Sequence, residues 1–137
     1  GIFKGATINT PSLLCVEDYL DALSWIDSIG GLPAAIEKSQ GNLNILAEYV
    51  TKNDWIDFLA QSPEIRSNTS VCFQLKANDQ QIKIMIKLLA DEQVAFDIGA
   101  YKDAPSGLRI WCGATVQESD VRALLPWLTW AYQEATA

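Results

Sequence analysis

Residues 69–90 read TSVCFQLKANDQQIKIMIKLLA, and the spacing of their apolar side chains changes once along this stretch. Every second residue from Val71 to Leu75 is apolar, which predicts a half-buried strand over Thr69–Lys76. Asn78 and Gln81 then have the spacing of a capping box, which marks the start of a helix. The apolar residues that follow recur at helical intervals: Ile82, Met85, Ile86 and Leu89. The centre of the chain is therefore predicted as a strand followed at once by an amphipathic helix.

On either side of this centre the same spacing arguments predict three more helices and three more strands. The helices run from Leu13 to Gly30, from Leu32 (with Pro33 at the first helical position) to about Thr51, and from near Ser119. The strands are Trp55–Leu59, Val94–Tyr101 and Leu108–Gly113. The order α-α-β-β-α-β-β-α predicts an α+β fold, with a small, mostly antiparallel sheet and helices packed on one face. Residues 1–11 are predicted as an extended N-terminal segment and residues 12–137 as one domain.

Composition removes several classes of function. The chain has 137 residues and a formal charge of −7, and this acidic balance disfavours nucleic acid and anionic membrane surfaces as partners. Histidine is absent, which excludes histidine bases and histidine metal sites. The three cysteines lie far apart, so neither a zinc site nor a disulfide framework is expected, and free thiols indicate the reducing cytoplasm. No metal site is predicted.

Two basic residues are candidates for binding an anion. On a strand, Arg109 points away from the face shared by Leu108 and Ile110, and its guanidinium can hold a carboxylate with two hydrogen bonds. Lys102 lies in the loop that precedes this strand. An exposed arginine or a structural ion pair, and a solvated loop lysine, are the alternatives that spacing alone leaves open.

A second candidate site lies near the beginning of the chain. Asn9 and Thr10 supply an amide and a hydroxyl just before Pro11 and the helix whose expected N-cap is Ser12. Helix N-termini attract phosphate through their free N–H groups and the helix dipole. Simple helix capping is the alternative interpretation of the same residues.

Six longer blocks resemble the phosphoserine aminotransferase family, in the variant common in α-proteobacteria. The blocks are residues 5–12 (GATINTPS), 14–23 (LCVEDYLDAL), 66–72 (RSNTSVC), 96–101 (FDIGAY), 107–115 (GLRIWCGAT) and 123–128 (ALLPWL). The resemblance runs from about residue 2 to the end, and it covers only the C-terminal part of that family. It implies the small C-terminal domain of a fold-type I transferase that uses pyridoxal 5′-phosphate (PLP).

The resemblance also implies roles for the candidate residues. Asn9 and Thr10 correspond to residues that contact the cofactor phosphate of the other subunit of a homodimer. Arg109 corresponds to the arginine that holds the substrate α-carboxylate, and Lys102 occupies a position where basic residues meet the substrate phosphate or side-chain carboxylate. The implied reaction transfers the amino group of L-glutamate to 3-phosphohydroxypyruvate, giving O-phospho-L-serine and 2-oxoglutarate in serine biosynthesis.

In the family, an N-terminal large domain carries the lysine that forms the Schiff base with PLP, and no such motif occurs in this sequence. The resemblance therefore implies no catalytic residue here, an inactive fragment that does not retain PLP alone, and the large domain as its partner. The missing initiator methionine also suggests a processed or truncated chain. Two alternatives remain: a free-standing α+β module that binds an amino acid or another anion or mediates assembly, and the small domain of another fold-type I aminotransferase.

Overall fold

The computed structural model describes residues 4–137, and the chain divides into two compact units, Gly1–Ala35 and Ile36–Ala137. The described residues form four α-helices and three strands. Among these residues, no helix is both long enough and apolar enough to cross a membrane.

The first unit contains helix α1 (Leu13–Ser28) and the beginning of helix α2 (Gly31–Lys52). Ser12 is the N-cap of α1, as predicted, and its Oγ accepts a hydrogen bond from the backbone N–H of Cys15 at 3.4 Å. Gly31 is the first residue of α2, so Pro33 is its third helical residue and not its first. None of the residues of α1 is buried in the described chain.

The second unit contains an antiparallel sheet of three strands in the order β1-β2-β3. The strands are β1 (Ile56–Phe58), β2 (Ser70–Leu75) and β3 (Leu108–Trp111). Strand β2 is central: Phe73 pairs with Phe58 on one side and with Leu108 on the other. The predicted period of two holds, because Val71 and Phe73 are buried while Cys72 and Gln74 are not.

The helices of this unit begin where their sequence signals place them. Helix α3 (Asp79–Asp91) has the predicted capping box between Asn78 and Gln81, with both hydrogen bonds at 2.9 Å. Helix α4 (Glu118–Thr136) is continuous through Pro126. A single turn of 3-10 helix (Pro63–Ile65) lies in the connection between β1 and β2.

One hydrophobic core lies between the sheet and the helices. The buried face of the sheet supplies Val71, Phe73, Leu108 and Ile110, and the helices supply Leu46, Met85, Leu89, Val121 and Leu128 among others. The α+β class and the small antiparallel sheet with helices packed on one face are therefore confirmed.

The predicted strand over Val94–Tyr101 is wrong. The backbone N–H groups of Val94 and Ala95 both turn back to the carbonyl oxygen of Leu89, which extends the end of α3. Asp97 then adopts a positive φ of 52°, in the left-handed region that interrupts an extended chain. Pairing is limited to a single bridge between Gly99 and Leu108. The apolar spacing of this segment reflects burial of an irregular loop rather than a strand.

A buried amide fixes the chain after β3. Asn42 of α2 is fully buried, and its Nδ2 donates to the carbonyl oxygens of Cys112 at 3.2 Å and Val116 at 3.1 Å. The neighbouring Gly41 is a poor helix former. A Cβ at this position would lie only 2.5 Å from Oε1 of Glu118, so glycine leaves room for that carboxylate. Helix α2 thus holds the segment that joins β3 to α4.

Candidate anion site on strand β3

Strand β3 presents Arg109 away from the core, as its alternation predicts. Leu108 and Ile110 are buried, at 1% and 5% exposure, while the Arg109 side chain is 25% exposed. The backbone of Arg109 is fixed on both sides: it is in register with Cys72 of β2, and its N–H donates to the carbonyl oxygen of Ile98 at 2.8 Å.

Gly107 allows β3 to begin where it does. A Cβ at this position would lie 2.0 Å from the carbonyl oxygen of Phe73 in the neighbouring strand, which is far closer than any side-chain carbon can come. Only glycine permits this approach of the two backbones. The glycine two residues before Arg109 therefore sets the position of the guanidinium on the sheet.

The Arg109 guanidinium is only partly satisfied by its surroundings. Nη2 donates to Oδ2 of Asp97 at 2.9 Å and lies 3.4 Å from the Asp97 carbonyl oxygen. Nε is buried and has no hydrogen-bond partner within residues 4–137. None of residues 4–137 accepts a hydrogen bond from Nη1. Cζ lies 5.2 Å from the centre of the Tyr101 ring, within reach of a cation–π contact.

Arg109 opens into a shallow cleft of about 400 Å³. The lining residues come from β3, from the loop before it and from α4: Ala95, Phe96, Asp97, Ile98, Arg109, Ile110, Trp111 and Leu124. Phe96 and Trp111 are 69% and 59% exposed, which is unusual for large aromatic side chains. A cationic centre between apolar walls suits a small organic anion.

Lys102 lies in the turn that precedes this strand. The turn is closed by a hydrogen bond from the Ala104 N–H to the Tyr101 carbonyl oxygen at 3.0 Å. The lysine is exposed, and its ammonium group has no ion pair with residues 4–137. Its predicted contact with a phosphate stays a prediction.

Asn9 and Thr10 belong to the first unit. Both are exposed, and neither side chain has a hydrogen-bond partner among residues 4–137. The capping of α1 is carried by Ser12 alone, so the amide of Asn9 and the hydroxyl of Thr10 remain available as donors. The capping alternative for these two residues therefore receives no support from the described contacts.

Sequence reasoning missed Asp97 and Tyr101 as the partners of Arg109. Both fall in the segment that was expected to form a strand, where successive side chains point to opposite faces. The left-handed backbone of Asp97 turns its carboxylate and its carbonyl oxygen toward the same guanidinium. Aspartate is one of the few residue types enriched in this conformation, but that preference is too weak to identify the position from sequence.

Comparison with known proteins gives a consistent result. No family model matches the chain. It is 54% identical over 131 residues to a phosphoserine aminotransferase of Methanosarcina barkeri and 53% identical to that of Methanosarcina mazei. The match covers 96% of this chain and 35% of each relative, so the chain spans about a third of the length of these relatives.

Solved structures share the fold at low sequence identity. A phosphoserine aminotransferase studied for radiation damage of its Schiff base superposes with a TM-score of 0.84 at 19% identity, over 97% of this chain and 36% of that one. The enzyme from Bacillus circulans subsp. alkalophilus gives 0.79 at 20% identity, over 92% and 34%. The PLP-bound enzyme from Trichomonas vaginalis gives 0.78 at 19% identity, over 93% and 36%. The chain is therefore similar, over nearly its whole length, to about a third of these phosphoserine aminotransferases, and it shares the fold of the matching part of the solved structures.

Proposed function

We propose that this chain is the C-terminal domain of a PLP-dependent phosphoserine transaminase. The whole enzyme would transfer the amino group of L-glutamate to 3-phosphohydroxypyruvate, giving O-phospho-L-serine and 2-oxoglutarate. The observation that carries this proposal is the partly unsatisfied guanidinium of Arg109 in a chain that is 54% identical to a phosphoserine aminotransferase. By this proposal the domain binds and orients substrate, and it supplies no catalytic residue.

Arg109 is the proposed ligand of the substrate α-carboxylate. Both the amino donor and the acceptor carry this group, so one arginine serves both halves of the reaction. Nη1 has no partner among the described residues. A guanidinium suits a carboxylate better than a lysine ammonium does, because its planar fork of N–H groups fixes the direction of the hydrogen bonds as well as supplying the charge. Arginine stays protonated at any relevant pH, so this residue orients the substrate and moves no proton.

Asn9 and Thr10 are the proposed ligands of the cofactor phosphate, in the other subunit of a homodimer. Their exposed amide and hydroxyl groups have no partner in residues 4–137, and they precede the N-terminus of α1, so the donor set fits a phosphate. When bound, PLP acts as the electron sink and carries the amino group between the two substrates. This chain would hold its phosphate and contribute nothing to its reactive end.

Lys102 is the proposed contact for the substrate phosphate. It is exposed on the loop that leads into β3, where an ammonium group can reach an anion without losing its own hydration. Because an ammonium is a point charge, this contact would add attraction with little directional selectivity.

The proposed partner is the rest of the polypeptide, the large N-terminal domain that the matched relatives have room for. Helix α1 exposes an apolar row that a separate domain has reason to cover: Leu13, Val16, Leu20 and Leu23, each between 41% and 78% exposed. The large domain would also supply the lysine that binds PLP, so the chain alone is proposed to be inactive. All three cysteines are unpaired, which supports the cytoplasm as the proposed compartment.

The test is steady-state transamination by the complete protein that carries this chain. Arg109→Ala should raise KM for L-glutamate and for 3-phosphohydroxypyruvate by about 30-fold or more, because a charge-assisted contact to both is lost. Arg122→Ala is the matched control, since Arg122 is an exposed arginine of α4 whose ion pair with Glu118 spans 3.7 Å. Unchanged KM values in Arg109→Ala would overturn the site.

Substrate choice tests the reaction itself. Phosphoserine is expected to be a much better amino donor for 2-oxoglutarate in the reverse direction than alanine or serine. A preference for alanine or serine would instead identify another aminotransferase of the same fold type. Binding of amino acids by a protein without transaminase activity would favour the free-standing anion-binding module.

A further inference from the structure

Asp97 contacts the same guanidinium that the proposed function assigns to the substrate carboxylate. We propose that Asp97 is a positioning residue: it holds Nη2 of Arg109 so that Nη1 stays turned toward the substrate. The inference rests on the proposed function and extends it to a residue that does not itself touch substrate. The alternative for such a carboxylate is competition, in which Asp97 occupies the arginine until substrate displaces it.

The geometry favours positioning over competition. Asp97 engages only Nη2, at 2.9 Å from its Oδ2 and 3.4 Å from its carbonyl oxygen, and leaves Nη1 without a partner in the described chain. A competing carboxylate would be expected to occupy the open end of the fork, where two parallel hydrogen bonds are available. The main-chain oxygen is part of the same contact, and it cannot be displaced as a side chain can.

The backbone of Asp97 supports a functional role for the contact. Its φ of 52° lies in the left-handed region, which aspartate adopts more readily than most residues but which still costs energy relative to extended or helical backbone. The next residue, Ile98, is attached to β3 without the help of Asp97, because its carbonyl oxygen accepts a hydrogen bond from the Arg109 N–H at 2.8 Å. The left-handed conformation of Asp97 is therefore not needed to attach the loop to the strand. Its effect is to direct two oxygen atoms of Asp97 toward Nη2 of Arg109.

Fixing the guanidinium before substrate arrives improves binding. A free arginine side chain loses rotamer freedom when it binds a carboxylate, and this loss weakens binding. The ion pair with Asp97 and the Tyr101 ring, 5.2 Å from Cζ, restrict the side chain in advance. The Asp97 side chain is itself 90% exposed, so water screens its charge and the expected effect is moderate.

The test uses Asp97→Asn in the complete transaminase. Asparagine keeps the size of the side chain and tolerates the left-handed backbone, so the variant should fold. We expect KM for L-glutamate and for 3-phosphohydroxypyruvate to rise about three- to fivefold, in line with the loss of one exposed ion pair, while kcat stays within about twofold. Asp103→Asn is the matched control, because it removes the same charge from the same loop and Asp103 has no ion pair with residues 4–137.

Asp97→Gly provides a second variant, because glycine adopts this backbone without strain and removes the carboxylate entirely. It should raise both KM values at least as far as Asp97→Asn does. Unchanged KM values in both Asp97 variants, with Arg109→Ala still impaired, would overturn the positioning role and leave the proposed function standing. A lower KM in Asp97→Asn would show competition and also overturn it. If Arg109→Ala binds both substrates normally, the proposed function itself fails.

Discussion

Arg66, in the connection between β1 and β2, and Arg109, on β3, are two partly buried arginines that are satisfied in different ways. Nε of Arg66 donates to the carbonyl oxygen of Ala60 at 2.9 Å, and its Nη2 donates to that of Gln61 at 3.1 Å. Its Cζ lies 4.0 Å from the centre of the Phe58 ring. Arg109 has instead one charged partner, Asp97, a buried Nε without a partner, and a more distant ring.

The difference separates an arginine whose donors are satisfied by the fold from one that keeps free donors, as the proposed binding role of Arg109 requires. The partners of Arg66 are backbone carbonyl oxygens of the turn that follows β1, so its hydrogen bonds fix that turn and contribute to stability. Arg109 fixes no turn with neutral partners, and an unpaired buried donor lowers stability. An arrangement that lowers stability is expected where function requires it.

The largest expected effect comes from the glycine on which the Arg109 region depends. Gly107→Ala should lower the free energy of unfolding by about 3 kcal/mol, because the new Cβ would lie 2.0 Å from the Phe73 carbonyl oxygen and must force β2 and β3 apart. Urea unfolding measures this loss. Gly99→Ala is the matched control, since its Cβ would meet only Ile86 at 3.4 Å and should change stability by less than about 1 kcal/mol. Equal effects of the two variants would contradict the close approach at Gly107.

Removal of Arg66 tests the structural half of the comparison. Arg66→Ala should lower the free energy of unfolding by about 2 kcal/mol, because two carbonyl oxygens lose a charged donor and the Phe58 ring loses its cover. In the complete protein the KM values should stay unchanged. Arg109→Ala should do the reverse, with a small change in stability and a large change in KM. Thermal unfolding together with steady-state kinetics separates the two; if Arg66→Ala raised KM, the distinction drawn here would be wrong.

The same contrast separates what the sequence could predict from what it could not. Alternation fixed the buried face of β2 and the outward direction of Arg109, because both follow from the two-residue period of a strand. Asn78 and Gln81 predicted the start of α3 correctly, because capping is a local interaction. These features depend on neighbours within a few residues.

The partners of Arg109 depend on something that apolar spacing does not encode. Asp97 reaches the guanidinium only because its backbone is left-handed, and the same departure removes the strand that was predicted over Val94–Tyr101. The carbonyl partners of Arg66 are equally hidden, since a backbone oxygen carries no sequence signal. Side-chain type thus predicted which residues are candidates, and backbone conformation decided what each of them contacts.

The buried thiol of Cys112 and the half-buried thiol of Cys72 give the smallest and most specific test, because they compare the core side of the sheet with the side of Arg109. Burial raises the pKa of Cys112, the residue after β3, to about 11 from its ordinary value of 9.0. Between these values the unfolded thiol releases its proton while the folded one keeps it, so the folded state binds more protons and stability falls as pH rises. The stability is fully present well below pH 9, and about 2 kcal/mol should be lost by pH 11.

Cys112→Ala should therefore show a shallower fall of unfolding free energy over this pH range than the unsubstituted protein, although it is less stable at neutral pH because of the cavity it leaves. Cys72→Ala is the control variant, because Cys72 is half-buried and lies in register with Arg109 on the outward side of β2. Burial also raises the pKa of Tyr49, against a smaller opposing effect of its hydrogen bond to Thr129, but that contribution is common to all three proteins and cancels from the comparison. Urea unfolding at several pH values between 8 and 11 measures how steeply the free energy of unfolding falls with pH. Identical slopes for the two variants would mean that the Cys112 thiol is no more protected from water than that of Cys72.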